Sequence, residues 1–206
     1  MKRLQERKQY LEEYAYVLDF LPFGYGPGYQ YEIRHRGPVA QAVGESYFTL
    51  LELAPVPGLQ LGVRERVYLG RVYDERIVRV LRRLSYDELT ATAKAELPGV
   101  LEIIVRKKEK EIVEVFNTAQ ALTKKMHSLE LLRGIGKRTL WRILEERRRR
   151  PFESFEDIRE RVKIDPVKVV VDRIIEELSE EQRHYLFVPR EVIKRPWREG
   201  SPPRPR

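Results

Sequence analysis

The chain has 206 residues, with 40 Lys and Arg against 32 Asp and Glu, so its formal net charge is +8. This excess of positive charge favours a polyanionic partner such as nucleic acid, although it says nothing about the fold. The sequence contains no cysteine, which excludes disulfides and thiolate metal sites. No apolar run approaches the roughly 20 residues of a membrane span. We therefore expect a cytoplasmic protein with no membrane partner.

Up to about residue 84, short β-branched and aromatic runs alternate with Gly and Pro turn signals. These runs predict strands at 14–20, 31–36, 46–53, 61–63, 66–69 and 77–81. Such spacing is typical of a small antiparallel barrel like the OB-fold, which binds single-stranded nucleic acid through stacked aromatic rings. The sequence thus predicts an N-terminal OB-like β-barrel domain over residues 1–84.

The glycine-rich loop at 24–29 carries two aromatic residues, Tyr25 and Tyr29. An exposed loop gives these rings no core to pack on, whereas the face of a base or ribose would suit them. We predict that both tyrosines contact nucleic acid. Most of the tyrosines in the predicted strands are instead expected to be half-buried residues of the sheet.

From residue 85 the spacing of apolar residues becomes helical. Ser85 is predicted to cap a helix that Pro98 interrupts, and a second helix is expected over 100–116. We expect these helices to form a helical linker over 85–118 and an all-α domain to follow over 119–188. The overall class is therefore α+β. The prolines and basic residues of 189–206 predict a mobile, basic, Pro-rich tail.

The most informative segment begins at Leu132 and combines an apolar helix end, the turn Gly134-Ile135-Gly136, and a new helix. Two glycines allow a tight turn and a close approach of the backbone to a ligand. The unpaired N–H groups at a helix start favour an anion. Lys137 and Arg138 lie on the first helical turn, where their charge opposes the helix dipole, and a phosphate would explain them. A glycine C-cap between two packed helices is the alternative interpretation.

The helix after this turn is predicted over about 140–149 and ends in four consecutive arginines. The helix dipole accounts for one or two cations at a helix C-terminus, but not for four. Together with Arg142 on the same helix, these arginines are candidates for phosphate contact. The predicted nucleic-acid-binding residues are Gly134, Ile135, Gly136, Lys137, Arg138, Arg142, Arg147, Arg148, Arg149, Arg150, Tyr25 and Tyr29.

A second helix-turn-helix pattern follows, with Ser154 as the cap of its first helix and Ile164-Asp165-Pro166 at its turn. Asp165 can cap the next helix, and Pro166 suits the first helical position. Since an aspartate is a poor phosphate ligand, this second hairpin is interpreted as a scaffold for the first.

The first turn resembles the helix-hairpin-helix motif, a sequence-nonspecific nucleic-acid-binding element of DNA repair, ligase and nuclease subunits. Leu132, Gly134, Ile135, Gly136 and Ile143 match that motif. Leu140 departs from it, because a small residue is usual there. On this resemblance the whole segment 119–188 is a tandem helix-hairpin-helix domain with a degenerate second half.

Most of the chain also resembles an uncharacterised archaeal family described as predicted RNA-binding proteins. The likeness is carried by the strings at 79–89 and 127–137. It implies an OB-like barrel joined to a tandem helix-hairpin-helix domain, RNA rather than DNA as the ligand, and a link to translation or ribosome biogenesis.

No residue pattern indicates catalysis. His35, His127 and His184 are isolated in sequence, and the adjacent acidic pairs Asp74-Glu75 and Asp87-Glu88 point in diverging directions. There is no P-loop or dinucleotide fingerprint. We expect a protein that is not an enzyme and needs no cofactor or metal. The alternatives are a DNA-binding accessory factor of repair or recombination, and a protein-binding scaffold, which would be less sensitive to salt.

Overall fold

The structure, a computed structural model, describes residues 10–26, 37–56, 58–69 and 77–194, without the side chains of 77–79 and 194. The chain divides into two compact units. One comprises residues up to Glu88 together with those from Pro189 onwards, and the other comprises Leu89–Val188.

The first unit contains a five-stranded antiparallel sheet in the order β4-β1-β2-β3-β5. The strands are β1 Tyr14–Leu21, β2 Val39–Gly44, β3 Leu50–Pro55, β4 Arg66–Tyr68 and β5 Ile77–Arg83. The apolar core on this sheet is formed by Ala15, Val17, Ala40, Ala42, Leu51, Leu53, Leu61 and Val67. An antiparallel sheet followed by helices confirms the α+β class. Among the described residues β4 and β5 lie at opposite edges of the sheet, and no closed barrel is formed.

The predicted strand at 46–53 begins four residues too early, because β3 begins at Leu50. A distant carboxylate causes the difference. Glu12 accepts hydrogen bonds from the backbone N–H groups of Ser46, Tyr47 and Thr49 at 2.7, 2.9 and 3.1 Å. These bonds hold the segment before β3 as a turn, in which Phe48 adopts a positive φ of 58°.

Strand β2 was not predicted, although all six of its residues are buried. Its alanines have low β propensity, and burial of both faces removes the alternation that marks a half-exposed strand. The predicted strand at 61–63 is wrong, since Gly62 and Glu65 close a turn there through hydrogen bonds of 2.8 and 3.1 Å. The predicted strand at 31–36 lies outside the described residues.

The second unit is helical apart from a short hairpin of β6 Ala121–Thr123 and β7 Met126–His127. Its helices are α1 Ala91–Lys107, α2 Glu109–Thr118, α3 Lys137–Arg149, α4 Phe155–Val162 and α5 Pro166–Ser179, with a 3₁₀ helix at Ser128–Leu131. Helix α1 packs against α5, so the segment interpreted as a linker contributes to the core of this unit. Within the described parts of the chain, no helix is long and apolar enough to cross a membrane.

Helix α1 runs through Pro98, where the sequence predicted a break. Proline in a helix interior removes one hydrogen bond and costs about 3 kcal/mol. The buried side chains of Leu97, Val100, Leu101 and Ile104 lie on both sides of the proline. Burying side chains of this size contributes about 1.5–3 kcal/mol each, which outweighs the loss.

Two further segments differ from their predicted structures. After Ser85 the chain forms only a 3₁₀ helix at Tyr86–Glu88, and the Glu88 carboxylate accepts hydrogen bonds from the backbone and hydroxyl of Ser85. The region predicted as a mobile tail begins with a helix, α6 Arg190–Lys194, whose Val192 is buried.

A buried ion pair fixes the last segment of the second unit. Glu177 is fully buried on α5 and accepts a hydrogen bond of 2.8 Å from Arg173, which is itself 4% exposed. The same carboxylate accepts from the backbone N–H groups of Leu186, Phe187 and Val188 at 2.6, 3.0 and 2.8 Å. One glutamate therefore holds the chain after α5 against that helix.

We expect Glu177→Gln to lower the free energy of unfolding by roughly 3–5 kcal/mol, as measured by urea denaturation. The substitution removes the fully buried carboxylate that pairs with Arg173 at 2.8 Å, leaves only the longer ion pair with Glu176 at 3.4 Å, and turns an amide N–H toward backbone donors. Glu180→Gln removes the same charge from an exposed position and should change stability by less than about 0.5 kcal/mol. Equal effects of the two variants would contradict a special role for Glu177.

Candidate nucleic-acid interface

The turn between the 3₁₀ helix and α3 depends on two apolar anchors and one left-handed residue. Leu132 and Ile135 are 1% and 3% exposed, and the N–H of Ile135 donates to the carbonyl of Leu132 at 3.0 Å. Between them Gly134 has a φ of +87°. A side chain would be strained in that conformation. Glycine is therefore the residue that forms this turn at the lowest conformational cost.

Gly136 differs from Gly134, because the fold has no evident need for a glycine there. It is the N-cap of α3, with an extended φ of −83° that any residue can adopt. A Cβ at this position would meet nothing within 4 Å. No side chain caps α3, and the first N–H groups of an α-helix have no partner within the helix. The start of α3 thus presents open space beside unpaired donors.

The second hairpin has the same backbone arrangement with a different cap. Lys163 at its turn has a φ of +64°, matching Gly134, and the next residue but one, Asp165, is the N-cap of α5. The Asp165 carboxylate accepts from the N–H groups of Val167 and Lys168 at 3.1 and 3.3 Å. This confirms the predicted capping by Asp165. The carboxylate therefore pairs with first-turn N–H groups of α5, whereas the equivalent N–H groups of α3 have no side-chain partner.

The helix before the first turn is a single 3₁₀ turn, and its cap is His127. The N–H of Leu129 donates to Nδ1 of His127 at 3.2 Å. In return, the N–H of His127 donates to the Glu130 carboxylate at 2.7 Å. Histidine was overlooked because it is an uncommon N-cap residue.

The basic side chains at the start of α3 differ in how they are held. Lys137 forms an ion pair of 2.7 Å with Glu130 and donates to the carbonyl of Lys125, although its side chain stays 66% exposed. Arg142 donates to the carbonyl of Val162 at 3.0 Å. Arg138 is exposed and has no acidic partner among the described residues. It is therefore the side chain in this group most available to an anion.

Three of the four consecutive arginines have partners inside the protein. Arg147 donates to the carbonyls of Phe116 and Ala119 at 2.9 Å each, and burial lowers its pKa. Arg149 pairs with Glu145 and Glu146, and Arg150 pairs with Glu153 and Asp157. Arg148 is exposed and has no such partner in the described part of the chain. Arg147 thus ties α3 to the end of α2, and phosphate contact by the run of arginines stays a prediction.

Two features near α3 were missed by the sequence analysis. Trp141 is 68% exposed. The helical period of about 3.6 residues would have predicted this, because it places Trp141 away from the side of α3 that carries the buried Leu140 and Ile143. The turn of the β6–β7 hairpin brings Lys125 to the start of α3, where the Lys137 ammonium donates to the carbonyl of Lys125 at 3.1 Å. That contact joins residues distant in sequence, and no local pattern could have indicated it.

The two tyrosines predicted to contact nucleic acid lie in the first unit. Tyr25 is half-buried, and its hydroxyl donates to Glu52 at 2.6 Å and accepts from Gln41 at 3.1 Å. Its ring is therefore held by the sheet rather than carried on a free loop. Tyr29 lies outside the described residues.

Tyr25 belongs to a polar row that crosses the sheet. Gln41 on β2 pairs in register with Glu52 on β3, which pairs with Arg82 on β5. Arg82 also contacts Glu88; the two carboxylates together raise its pKa despite burial, which acts in the opposite direction. Although burial would raise the pKa of Glu88, hydrogen bonds from Ser85 and Arg82 lower it. Arg82 is the shared counter-charge of the two carboxylates Glu52 and Glu88, and we interpret the row as part of the fold.

Comparison with known proteins identifies the family. The family model described as a protein of unknown function, DUF655, matches residues 11–189 of the chain. The chain belongs to the DUF655 family. An uncharacterized protein of Methanocaldococcus jannaschii is 39% identical over 186 residues, which cover 89% of this chain and 83% of that protein.

A member of the DUF655 family from Archaeoglobus fulgidus has a crystal structure that resembles this one with a TM-score of 0.78 and 48% identity. The match covers 86% of this chain and all of the other. Membership of an archaeal family of uncharacterised proteins is thus confirmed. The matched residues include both hairpins of this chain.

We expect acidification to destabilise the turn before α3 through His127. Burial and the charge of Arg147 lower its pKa in the folded protein, and Nδ1 must stay unprotonated to accept from Leu129. The unfolded chain therefore binds the proton more readily, and the free energy of unfolding falls as the pH drops below about 6.5.

The matched variant is His127→Asn, which keeps a capping side chain without a titratable group. Thermal unfolding of both proteins between about pH 7.5 and 5 should show wild type losing stability relative to the variant. Parallel curves would contradict the role assigned to His127, because the remaining histidines are common to both proteins.

Proposed function

We propose that this protein is a non-enzymatic, sequence-nonspecific nucleic-acid-binding protein that holds backbone phosphates at the N-terminus of α3. The observation that carries the proposal is Gly136. Neither its backbone conformation nor its surroundings require a glycine. A Cβ there would narrow the approach to the first N–H groups of α3. A ligand that comes close to the backbone therefore accounts for the glycine better than the fold does.

The charges around α3 support a phosphate as that ligand. Lys137 and Arg138 occupy the first turn, where cations are unfavourable for the helix itself. The Lys137–Glu130 pair is largely exposed on the lysine side, and such pairs contribute only about 0–1 kcal/mol. Lys137 can therefore exchange Glu130 for a phosphate at little cost, while Arg138 needs no exchange. Phosphate contacts of this kind position a strand without reading its sequence.

The proposal also includes the type of domain that each half of the chain forms. The repeated left-handed turns at Gly134 and Lys163, each followed by a helix that begins three residues later, support a tandem helix-hairpin-helix domain. In that arrangement Asp165 makes the second hairpin structural. On the family resemblance described above, we propose that the sheet belongs to an OB-like domain that binds nucleic acid. The same resemblance favours RNA as the ligand and a connection to translation or ribosome biogenesis.

The test copies the cap of the second hairpin into the first. In Gly136→Asp, the carboxylate should accept from the first-turn N–H groups of α3 as Asp165 does at α5, and should raise or preserve the melting temperature. The same carboxylate would occupy the position of the phosphate and repel the phosphate group by its negative charge. We expect stability to be kept while affinity for nucleic acid falls by at least about tenfold.

Binding is measured by fluorescence anisotropy with duplex DNA, duplex RNA and a stem-loop RNA at two salt concentrations. Wild-type affinity should fall with salt by roughly one log unit per log of salt for each phosphate neutralised. The matched control is Thr92→Asp, which adds the same charge to the exposed first turn of α1 and should bind like wild type. Gly136→Ser, a neutral cap, separates occupation of the donors from charge repulsion.

Two outcomes would contradict the proposal, and a third would contradict only the preference for RNA. In the first, wild type binds none of the probes at low salt, which would favour a protein-binding scaffold instead. In the second, Gly136→Asp and Thr92→Asp have the same affinity for nucleic acid, whether unchanged or reduced, which would show that the phosphate site is not at the start of α3. Tighter binding to duplex DNA than to either RNA would keep the phosphate site but favour the DNA-binding alternative.

A further inference from the structure

An exposed tryptophan on α3 is unexplained by the phosphate site. Trp141 is 68% exposed, whereas tryptophan is a residue that proteins bury extensively on average. The apolar side of α3 is already formed by Leu140 and Ile143, which are 6% and 0% exposed. The indole therefore lies outside the core-facing side of its helix and contributes little to packing there.

Two arginines lie on the same side of the helix as this indole. Arg138 is three residues before Trp141 and Arg148 is seven after it, so at 100° per residue both fall within about 60° of the tryptophan. With a rise of 1.5 Å per residue, the two arginines are about 15 Å apart along the axis, with the indole between them. We call Arg138, Trp141 and Arg148 the Trp141 stripe.

The cations of the Trp141 stripe are available in a way their neighbours are not. Arg138 and Arg148 are exposed and have no carboxylate within ion-pair distance in the described ranges. Glu145 lies on the same side, but its carboxylate is held by Arg149 at 2.6 Å. The stripe thus presents a flat aromatic surface between two unpaired positive charges.

We infer that the Trp141 stripe binds single-stranded nucleic acid, with the indole stacked on an unpaired base and the two arginines on flanking phosphates. This inference rests on the proposed function and names the strand that α3 selects. In a duplex both faces of each base are covered by its neighbours, and the indole has nothing to stack on. An unpaired base offers a free face, and stacking on it is indifferent to sequence. The turn at Gly136 would hold a backbone phosphate of the same strand.

The first test uses the fluorescence of the indole itself. The sequence has two tryptophans, Trp141 and Trp197, so Trp197→Phe leaves Trp141 as the only one. In this background a single-stranded RNA oligonucleotide should quench the emission in a saturable way. The same RNA annealed to its complement should quench it far less at equal occupancy, as followed by anisotropy.

The second test compares variants on both ligands. Trp141→Ala should weaken single-strand binding by on the order of tenfold and duplex binding by less than about twofold, while Trp141→Phe should retain most of the affinity. Arg148→Ala should weaken single-strand binding more than Arg149→Ala, which removes the same charge from a paired neighbour. Ile103→Ala changes another apolar residue, which is 39% exposed, and should leave the affinity for both ligands unchanged. Circular dichroism confirms that each variant is folded.

The two proposals fail in different ways. If Trp141→Ala binds both ligands like wild type and no quenching occurs, the stripe does not stack on bases. The phosphate site at α3 then still stands, provided that Gly136→Asp weakens binding. Equal losses for single strand and duplex would also overturn the inference, because they would make Trp141 a general contact. If wild type binds neither the single strand nor the duplex, both proposals are wrong.

Discussion

The candidate interface depends on one backbone constraint, the left-handed turn at Gly134. A positive φ reverses the chain within two residues, so that Ile135 enters the core while the next residue already caps a new helix. The same conformation recurs at Lys163, where the side chain adopts it at a cost of the order of 1 kcal/mol. The recurrence shows that the turn is a property of both hairpins. What differs between them is the residue two positions later.

That difference separates a closed helix start from an open one. At α5 the unpaired N–H groups are satisfied internally, because Asp165 accepts from two of them. At α3 no side chain does so, and the groups depend on water or a ligand. A capping side chain in place of an N-cap glycine is worth roughly a few tenths of a kcal/mol, and a cap at residue 136 would meet no steric obstacle. The open start of α3 thus forgoes stability that the same architecture obtains one hairpin later.

Local patterns predicted the elements whose signals are local. The strand at β1, the two-glycine turn, and the caps at Ser154 and Asp165 were all readable from neighbouring residues. The errors arise where a distant group decides. Glu12 holds the turn before β3, and the packing of α1 outweighs Pro98. Of the site, the turn was evident from the sequence, but the partners of the arginines and the approach of Lys125 to α3 required the fold.

The pairing of the arginines also changes how the charge of the chain is interpreted. The net charge of +8 and the run at 147–150 both indicate an anionic ligand, yet neither says which cations are free to bind one. Arg147 is committed to two backbone carbonyls, so moving it to a phosphate would leave buried acceptors unsatisfied, at about 1–3 kcal/mol. Arg138 and Arg148 would give up only water. Among the described cations of α3, affinity for a phosphate should therefore follow the two without an ion pair or a hydrogen bond to a backbone carbonyl, Arg138 near Gly136 and Arg148 on the same side as Trp141.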